Sequence, residues 1–522
     1  NLEPMPAAVT TQWSKHMQEY LPVLATNYER MLDTLASTKT SPDDARFIKI
    51  ARVLVNELKT HANWDKLRAI GFKPAARVVF YGVGLAPVLR VELGDAAAFK
   101  AEVARIEQQT GEKLTVAKTG NQEYWQVGSD KAMAIVAVEG SHLVVTFAPA
   151  NANDTLKQTL LGMTRPAQSL ADAGTLQALA RQYGYSPYGE GFVDFTRLAA
   201  RLSNPLAGSD LEIAKAFGVP TSGIDAQCKN EYAALAEKFP RWVMGAQELT
   251  PRRVRIDAQM ELEPALAKQL AAAMTAAPGT GAAGEGIVDI SVAVPLLKLK
   301  DFWIAQADAV AAKPFACAQL TELNASFAQM KAKLDITVPP PFSDLTGLRF
   351  VLDKAEPRTG SMPDFAGRLL YGSSNPAAAL AMAQLTVPGL KDLKVAADSK
   401  PVALPLPPGM LPANAPPLFV AMSDKAIAVG AGTGEDAKLG AFLAAPAATE
   451  PEFLRVHFSG AMYGLLGRFT QQVSAKLPPD KAAQIANQSQ LFNIYEKWIR
   501  SADITFTANA SGIALQETVE QN

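Results

Sequence analysis

The nine residues Val254-Arg255-Ile256-Asp257-Ala258-Gln259-Met260-Glu261-Leu262 alternate strictly between apolar and polar side chains. A period of two is typical of a strand that buries only one of its faces. Residues 89–93, 348–350 and 504–508 repeat the pattern, and amphipathic helical segments lie between such strands. One-sided strands mixed with helices predict an α+β fold, in which antiparallel sheets are covered by helices on one side.

Similar combinations of strand and helix recur along the chain. Strand pairs are expected at residues 243–249 with 254–262, at 334–338 with 348–352, and at 502–508 with 513–519. A strand followed by a helix precedes each pair, and a pattern of this kind is the mark of repeated units. We therefore expect about four diverged helix-plus-hairpin units.

The repeated units are expected to form two pseudo-duplicated halves, residues 1–262 and 263–522. Each half is expected to carry an insertion with its own hairpin, at about 86–182 and at about 364–446. The small-residue stretch 276–284 follows the boundary between the halves. Its composition is that of a surface loop.

Charge and hydropathy exclude several classes of protein. The 522 residues carry 50 Lys and Arg against 51 Asp and Glu, so the formal net charge is −1. Nucleic-acid-binding proteins ordinarily have a basic excess, and no nucleic-acid partner is expected. No window approaches about 18 consecutive apolar residues, so no transmembrane span is expected. Peripheral membrane or lipid-anchor attachment stays open.

The first residues resemble the end of a strand. Asn1-Leu2-Glu3-Pro4 is similar to Met260-Glu261-Leu262-Glu263-Pro264, which a clear strand precedes. We expect that a strand and a leader lie upstream of Asn1, and that the mature protein is periplasmic or secreted with its leader removed.

The two cysteines occupy corresponding places in the repeat pattern. Cys228 and Cys317 each come just before the long helix of a unit. This correspondence predicts a disulfide between units, which requires an oxidising compartment. Two buried free thiols are the alternative.

Other chemical motifs are weak, and we predict no catalytic residue, no metal ligand and no cofactor. The four histidines show no metal-ligand spacing. The glycine-rich loop 430–436 lacks the lysine of a phosphate-binding loop, and a plain turn between strand and helix explains it. The carboxyl pair Asp43/Asp44 is explained by helix capping. Glu190 and Asp194 are separated along a strand, and the sequence alone fixes no distance between their carboxyl groups. The run 252–255 is expected to be a hairpin turn.

The most unusual composition lies at residues 183–190, YGYSPYGE. Tyr183, Tyr185 and Tyr188 stand among glycines and a proline. Exposed aromatic rings of this kind stack on sugars or pack at protein interfaces. We predict that these three tyrosines contact a ligand or a partner, the alternative being a loop that folds its rings onto its own domain.

The strands that contain Val193-Asp194-Phe195 and Val288-Asp289-Ile290, each with a downstream cysteine, helix and amphipathic hairpin, resemble exported bacterial envelope proteins described only as a domain of unknown function. This family has no assigned activity, so the resemblance implies location and architecture alone. We expect a non-enzymatic envelope protein, with a scaffold or partner-binding role toward a protein or another envelope component. One alternative is a carrier of a lipid or other apolar ligand in a closed apolar cavity. Another is a hydrolase whose site assembles from distant segments, with perturbed titratable groups in a cleft.

Overall fold

The computed structural model describes residues 3–37, 42–128, 131–165, 169–216, 218–219, 221–357, 363–404 and 415–522. Antiparallel sheets pack with helices, as expected for an α+β fold. Within the described residues there are sixteen α-helices: α1 Ala7–Ser37, α2 Pro42–Thr60, α3 Trp64–Ala69, α4 Ala96–Thr110, α5 Asp154–Leu161, α6 Thr175–Tyr183, α7 Phe195–Ser203, α8 Gly208–Ala216, α9 Ala226–Lys238, α10 Pro264–Ala273, α11 Leu296–Ala312, α12 Thr321–Leu334, α13 Pro376–Thr386, α14 Asp436–Ala444, α15 Ala461–Ser474 and α16 Pro479–Trp498.

The strands of the described residues form two sheets. Their bounds are β1 Val78–Val83, β2 Ala86–Glu92, β3 Thr115–Thr119, β4 Gln122–Gly128, β5 Ala132–Glu139, β6 His142–Pro149, β7 Gly191–Asp194, β8 Arg241–Leu249, β9 Arg253–Glu261, β10 Val288–Ala293, β11 Leu345–Glu356, β12 Asp364–Ser373, β13 Val402–Ala403, β14 Leu418–Met422, β15 Ala426–Ala431, β16 Glu452–Ser459, β17 Ile499–Asn509 and β18 Gly512–Gln521. The smaller sheet has the order β1-β2-β6-β5-β4-β3. The larger has the order β13-β14-β15-β12-β11-β10-β16-β17-β18-β9-β8-β7.

The twelve-stranded sheet draws its strands from both expected halves of the chain. Strand β9 from the first half pairs with β18 from the second, with Asp257 opposite Gln516. The expected boundary between 262 and 263 therefore falls within one continuous sheet. The division into two duplicated halves remains a prediction.

Most of the expected hairpins are present, but the prediction of one hairpin is wrong because its first strand does not form. Strands β8 and β9 pair as expected, as do β17 and β18. The expected strand at 334–338 does not form, because α12 continues to Leu334 and β11 pairs instead with β10 and β12. Helical periodicity on Leu320, Leu323 and Phe327 continues to the end of this segment and prevails over its short apolar run.

Local sequence explains how the helices begin. Asp95, Asn153 and Asp225 are the N-cap residues of α4, α5 and α9, and the side chain of each accepts a backbone N–H of the first turn. Helix α5 then buries Leu156 and Leu160 against the six-stranded sheet, where Ile135 and Val144 are fully buried. This is the largest apolar core among the described residues.

The molecule has an open structure. It exposes 27770 Å² of surface. The scaling for compact monomers gives about 18,000 Å² for a chain of this mass. Apolar side chains on both sheets are among the accessible groups, such as Phe80 of β1 and Phe350 of β11, which are 73% and 41% exposed. None of the helices in the described ranges combines the length and the hydropathy that a membrane span requires.

Candidate functional site

The two faces of the twelve-stranded sheet differ sharply in chemistry. On one face, a single cross-strand row runs Asp257, Gln516, Thr505, Arg455, Ser291 and Arg349. Asp257, Arg455, Ser291 and Arg349 are all less than a tenth exposed. We call this the polar face. Alternation correctly predicted that one face is buried, but in the central strands the more buried face is the polar one.

Paired charges hold the centre of the polar face. Arg349 donates from Nε to Asp289 Oδ1 at 3.1 Å and from Nη2 to Asp289 Oδ2 at 2.7 Å, and both side chains are fully buried. Arg455 Nη2 reaches the same Asp289 Oδ2 at 3.2 Å. A buried charge is tolerated only when it is paired and hydrogen-bonded, and this triad satisfies both conditions.

A second group of charges continues the network across β12. Arg368 Nη1 contacts Glu435 at 2.8 Å and Asp353 at 2.7 Å. The ring of Phe442 in α14 lies 4.8 Å from the guanidinium of Arg349 and 5.3 Å from that of Arg368. Burial alone would raise the pKa of Asp353, but the Lys438 hydrogen bond and the charge of Arg368 hold that pKa below its ordinary value.

The stretch 276–284, expected at the surface, instead covers this network. Arg455 donates to the carbonyl oxygens of Gly279, Thr280 and Ala282. Thr280 is buried, so the expectation of a surface loop is wrong here. Gly279 has φ +74°, and a Cβ there would lie 2.5 Å from Arg349 Nη1. Gly279 is therefore required by its close approach to a buried guanidinium and by its positive φ.

The opposite face of the same strands is apolar and only partly covered. One cross-strand row runs Ile504, Val456, Ile290, Phe350, Leu369 and Val429. Ile290, Phe350 and Leu369 remain 37%, 41% and 48% exposed. The adjacent row runs Phe506, Leu454, Val292, Leu348, Tyr371 and Ile427. We call these two rows the apolar strip.

Helices bound the apolar strip at opposite ends of the strands. Helix α15 follows β16, and its Tyr463 ring meets Phe458 edge-on at 5.7 Å. Helix α11 follows β10, and its Phe302 packs against the cluster of Met260 and Ile513. Beside Glu356 and Pro357, where β11 ends, α15 lines a cleft of about 740 Å³ with Arg468, Gln471 and Gln472.

A polar cavity of about 420 Å³ lies over the part of the polar face that β9, β17 and β18 form. Burial raises the pKa of Asp257, partly opposed by the hydrogen bond from Tyr185, and burial also raises the pKa of Glu452. These are perturbed carboxyl groups of the kind that the hydrolase hypothesis expects. The cavity is lined by Gln182, Tyr183, Gln247, Arg255, Asp257, Gln259, Glu450, Glu452, Thr505, Thr507, Asn509, Ser511, Ala514 and Gln516.

Two of the three predicted tyrosines, Tyr183 and Tyr185, pack against the polar face at this cavity. The Tyr183 hydroxyl donates to Glu261 Oε1 at 2.7 Å, and the Tyr185 hydroxyl donates to Asp257 Oδ1 at 3.1 Å. Their rings stack at 5.7 Å, and burial raises the pKa of both phenols. Tyr183 lines the cavity, Tyr185 is buried beneath Gly245, and Tyr188 is partly exposed. A ligand role for the three remains a prediction.

The predicted disulfide is confirmed. Cys228 at the start of α9 is bonded to Cys317 before α12, across a separation of 89 residues. Both lie in a buried cluster with Leu320. The Glu231 carboxylate accepts N–H hydrogen bonds from Ala316 and Cys317, and the first of these is the main reason that its pKa is lowered.

The remaining motifs have structural roles. Asp194 caps α7 by accepting the Arg197 N–H. Loop 430–436 is a turn between β15 and α14 whose Glu435 pairs with Arg368, and Arg253 at the β8–β9 turn pairs with Glu248 and Glu520. The side chains of Asp43 and Asp44 lie outside the described residues. Within the described ranges, no three His, Cys, Asp or Glu side chains come together as a metal site would require.

Comparison of the chain with protein-family models, with curated proteins and with solved structures finds no match. Sequence reasoning missed the apolar strip and the charges behind it. The available signal was the arginines on otherwise apolar central strands, at 349, 368 and 455, which share one face with Asp289.

Proposed function

We propose that this is an exported protein that binds an acyl chain along the apolar strip. The observation that carries the proposal is the half-exposed row of Ile290, Phe350 and Leu369 in the middle of a large sheet. Leaving large apolar side chains in water forgoes about 25 cal/mol for each Å² of area that could be buried. A contiguous apolar surface of this kind ordinarily marks a binding site.

The dimensions of the strip suit an acyl chain. Six neighbouring strands at about 4.8 Å spacing give the row a length of about 24 Å. One leaflet of a bilayer core is about 15 Å thick, so a membrane acyl chain fits within that length. The cleft beside Arg468 lies beyond the end of β11, on the side of the strip that α15 bounds, and its lining offers polar side chains for a headgroup.

The backbone of the strip favours a lipid over a peptide. Strands β10, β11, β12 and β16 each pair with a neighbour on both sides. Their N–H and C=O groups are used within the sheet, so the face offers side-chain contacts alone. This supports the carrier hypothesis in altered form, with an open strip in place of a closed cavity. Export is supported by the disulfide, since disulfides persist in oxidising compartments.

The test is titration of the protein with octadecanoic acid that carries a fluorescent anthroyloxy group. Phe350→Asp should weaken binding at least tenfold, because it places a charge in the middle of the strip. Phe147→Asp is the matched control, since Phe147 is a half-exposed phenylalanine on strand β6 of the other sheet.

Binding that is absent in the unmodified protein, or equal in the two variants, would overturn the proposal. Self-association that Phe350→Asp abolishes, without any binding of the fatty acid, would also overturn it. That result would return the strip to the partner-binding hypothesis.

A further inference from the structure

The polar cavity over β9, β17 and β18 is lined by side chains that both donate and accept hydrogen bonds. Amide side chains line it at five places: Gln182, Gln247, Gln259, Asn509 and Gln516. Hydroxyl groups of two threonines and a serine lie among them. Its volume of about 420 Å³ falls within the range of about 300–1,000 Å³ that is typical of small-molecule sites. The cavity therefore has the size and the polarity of a site for a small polar ligand.

The floor of the cavity is ordered by its own hydrogen bonds. Asn509 Nδ2 donates to Gln259 Oε1 at 3.3 Å, and Gln259 Nε2 donates to Asn509 Oδ1 at 3.5 Å. Asn509 Oδ1 also accepts the backbone N–H groups of Ser511 and Gly512. Gln259 and Thr507 are buried. Side chains that are held in this way lose little conformational entropy when a ligand binds.

Other groups at the cavity keep hydrogen-bonding capacity for a ligand. The Tyr185 hydroxyl donates to Oδ1 of Asp257, which leaves Oδ2 of the same carboxyl group at the cavity. The side chain of Gln516 makes no hydrogen bond to another described residue. Arg255 Nε is buried and has no hydrogen-bond partner within the described ranges. A buried polar group without a partner destabilises the protein, and a ligand that supplies the partner recovers that free energy.

The charges at the cavity favour a neutral ligand over an ion. Asp257, Glu450 and Glu452 line the cavity together with one arginine, Arg255. An anion such as phosphate would meet an excess of negative charge, and a cation would meet the guanidinium. Amides and carboxyl groups together suit a ligand whose groups both donate and accept hydrogen bonds, which is the property of a hydroxyl group.

Tyr183 adds an aromatic surface to this polar lining. Its ring lines the cavity and stacks on Tyr185 at 5.7 Å, and its hydroxyl donates to Glu261. The ring is thereby held in place at the edge of the cavity. Sugars present both hydroxyl groups and apolar C–H faces, so they match a site that combines amides with a fixed aromatic ring.

We propose that the polar cavity binds a neutral saccharide, whose hydroxyl groups contact the amides and Asp257 while one sugar ring packs against Tyr183. The cavity lies on the face opposite to the apolar strip, so saccharide binding does not depend on acyl-chain binding.

Binding without cleavage is expected from the placement of the carboxyl groups. Asp257 and Glu452 belong to β9 and β16, whose backbones are three strand spacings or about 14 Å apart. The two carboxyl groups of most glycosidases lie only about 5–10 Å apart. The spacing of these strands therefore favours a binding site over a hydrolytic one.

The test is calorimetric titration of the protein with the neutral disaccharides maltose, cellobiose, lactose and N,N′-diacetylchitobiose. At least one should bind, and Gln516→Leu should weaken that binding about tenfold, because it keeps most of the side-chain volume but removes a donor and an acceptor. Gln182→Ala, on the part of the lining that α6 supplies, should weaken binding as well. Gln126→Leu, at a partly exposed glutamine on β4 of the other sheet, is the matched control and should bind as the unmodified protein does.

Absence of binding for every disaccharide at millimolar concentration would overturn the proposal. Equal binding by Gln516→Leu, Gln182→Ala and the control would also overturn it, because the site would then lie elsewhere. Binding of spermidine or inorganic phosphate in place of the disaccharides would reject it in favour of a charged ligand. Release of monosaccharides would reject binding without cleavage and return the cavity to the hydrolase hypothesis. If Gln516→Leu does not fold, Gln182→Ala decides, because its side chain is exposed on a helix.

Discussion

The polar face and the apolar strip lie back to back on the same strands, and their exposure is inverted relative to an ordinary sheet. On β10, Asp289 and Ser291 are fully buried, whereas Ile290 between them is 37% exposed. On β11, Arg349 is fully buried and Phe350 is 41% exposed. The charges are stable in the interior because each is paired, and the apolar side chains stay accessible because the helices at either end leave the middle of the sheet uncovered.

This inversion shows that alternation in a strand identifies its two faces but does not determine which face the rest of the protein covers. Replacing buried ion pairs by packed apolar residues is often neutral or stabilising. Selection for stability alone therefore does not explain Arg349 and Arg368 in these positions. The charged network behind the strip fixes the arrangement of the strands without covering their apolar side.

The largest effect is expected when the same charge is placed on each face of the sheet in turn. Ala428→Asp should lower the free energy of unfolding by more than about 4 kcal/mol, because Ala428 is fully buried on the covered face in an apolar cluster with Leu370 and Leu439, which offers the new charge no partner. Phe350→Asp, on the strip, should cost about 1–2 kcal/mol, because its carboxylate stays solvated. Urea unfolding measures both, and equal losses would show that the strip is covered after all.

Removing one charge from the network should have the next largest effect. Arg349→Ala leaves the buried Asp289 with Arg455 as its charged partner and the Glu285 N–H as a further donor, and should lower the free energy of unfolding by about 3–5 kcal/mol. The surface pair Lys331–Asp308 supplies the control, since Lys331→Ala at an exposed pair should cost at most about 1 kcal/mol. Denaturant titration distinguishes these results, and a loss for Arg349→Ala below that of the control contradicts the role of the network.

The disulfide joins α9 to the residues just before α12. Replacing Cys228 and Cys317 by alanine should lower the free energy of unfolding by about 2–4 kcal/mol, because the unfolded chain loses a long closed loop. The effect should be equal in the Phe350→Asp background, since the bridge and the strip do not share contacts. Non-additivity beyond about 0.5 kcal/mol in thermal or urea unfolding would show that they are coupled.

The smallest effect concerns Asp257 on the polar face. Its pKa is raised in the folded protein, so the native state binds the proton more tightly than the unfolded state does. Stability therefore falls as the pH rises from the unfolded pKa through the folded one. Asp257→Asn should stabilise the protein at pH 7 and flatten this dependence, while still accepting the Tyr185 hydrogen bond. Melting temperatures between pH 4 and pH 8 test this, and a lower melting temperature at pH 7 contradicts it.

Much of the fold followed from periodicity in the sequence, because hairpins such as β8–β9 and β17–β18 pair residues that are close along the chain. The bridge between Cys228 and Cys317 followed from their matching places. The order of the twelve strands did not follow, since β9 meets β18 through a pairing that spans about half the chain. The burial of Arg349 depends on Gly279 and Phe442, which only the folded chain brings to it.

Separation along the chain also explains why the sequence did not predict the candidate site. Ile290, Phe350, Leu369 and Val456 come from four strands, and each looked like an ordinary core residue in its own alternating segment. Their partial exposure arises from where the helices end, which periodicity does not determine. The tyrosines at 183–185 stood out by composition, yet their hydroxyl groups are engaged by Glu261 and Asp257.

The Glu231 carboxylate has a consequence for recovery of the protein from a reducing environment. It holds the backbone of Ala316 and Cys317, and the neighbouring Phe315 is held on both its N–H and its carbonyl by Asn324. None of these bonds depends on the sulfur atoms. After reduction, the two thiols would remain side by side at a high effective concentration. Oxidation would then re-form the bridge as an intramolecular step, at a rate that dilution of the protein does not change.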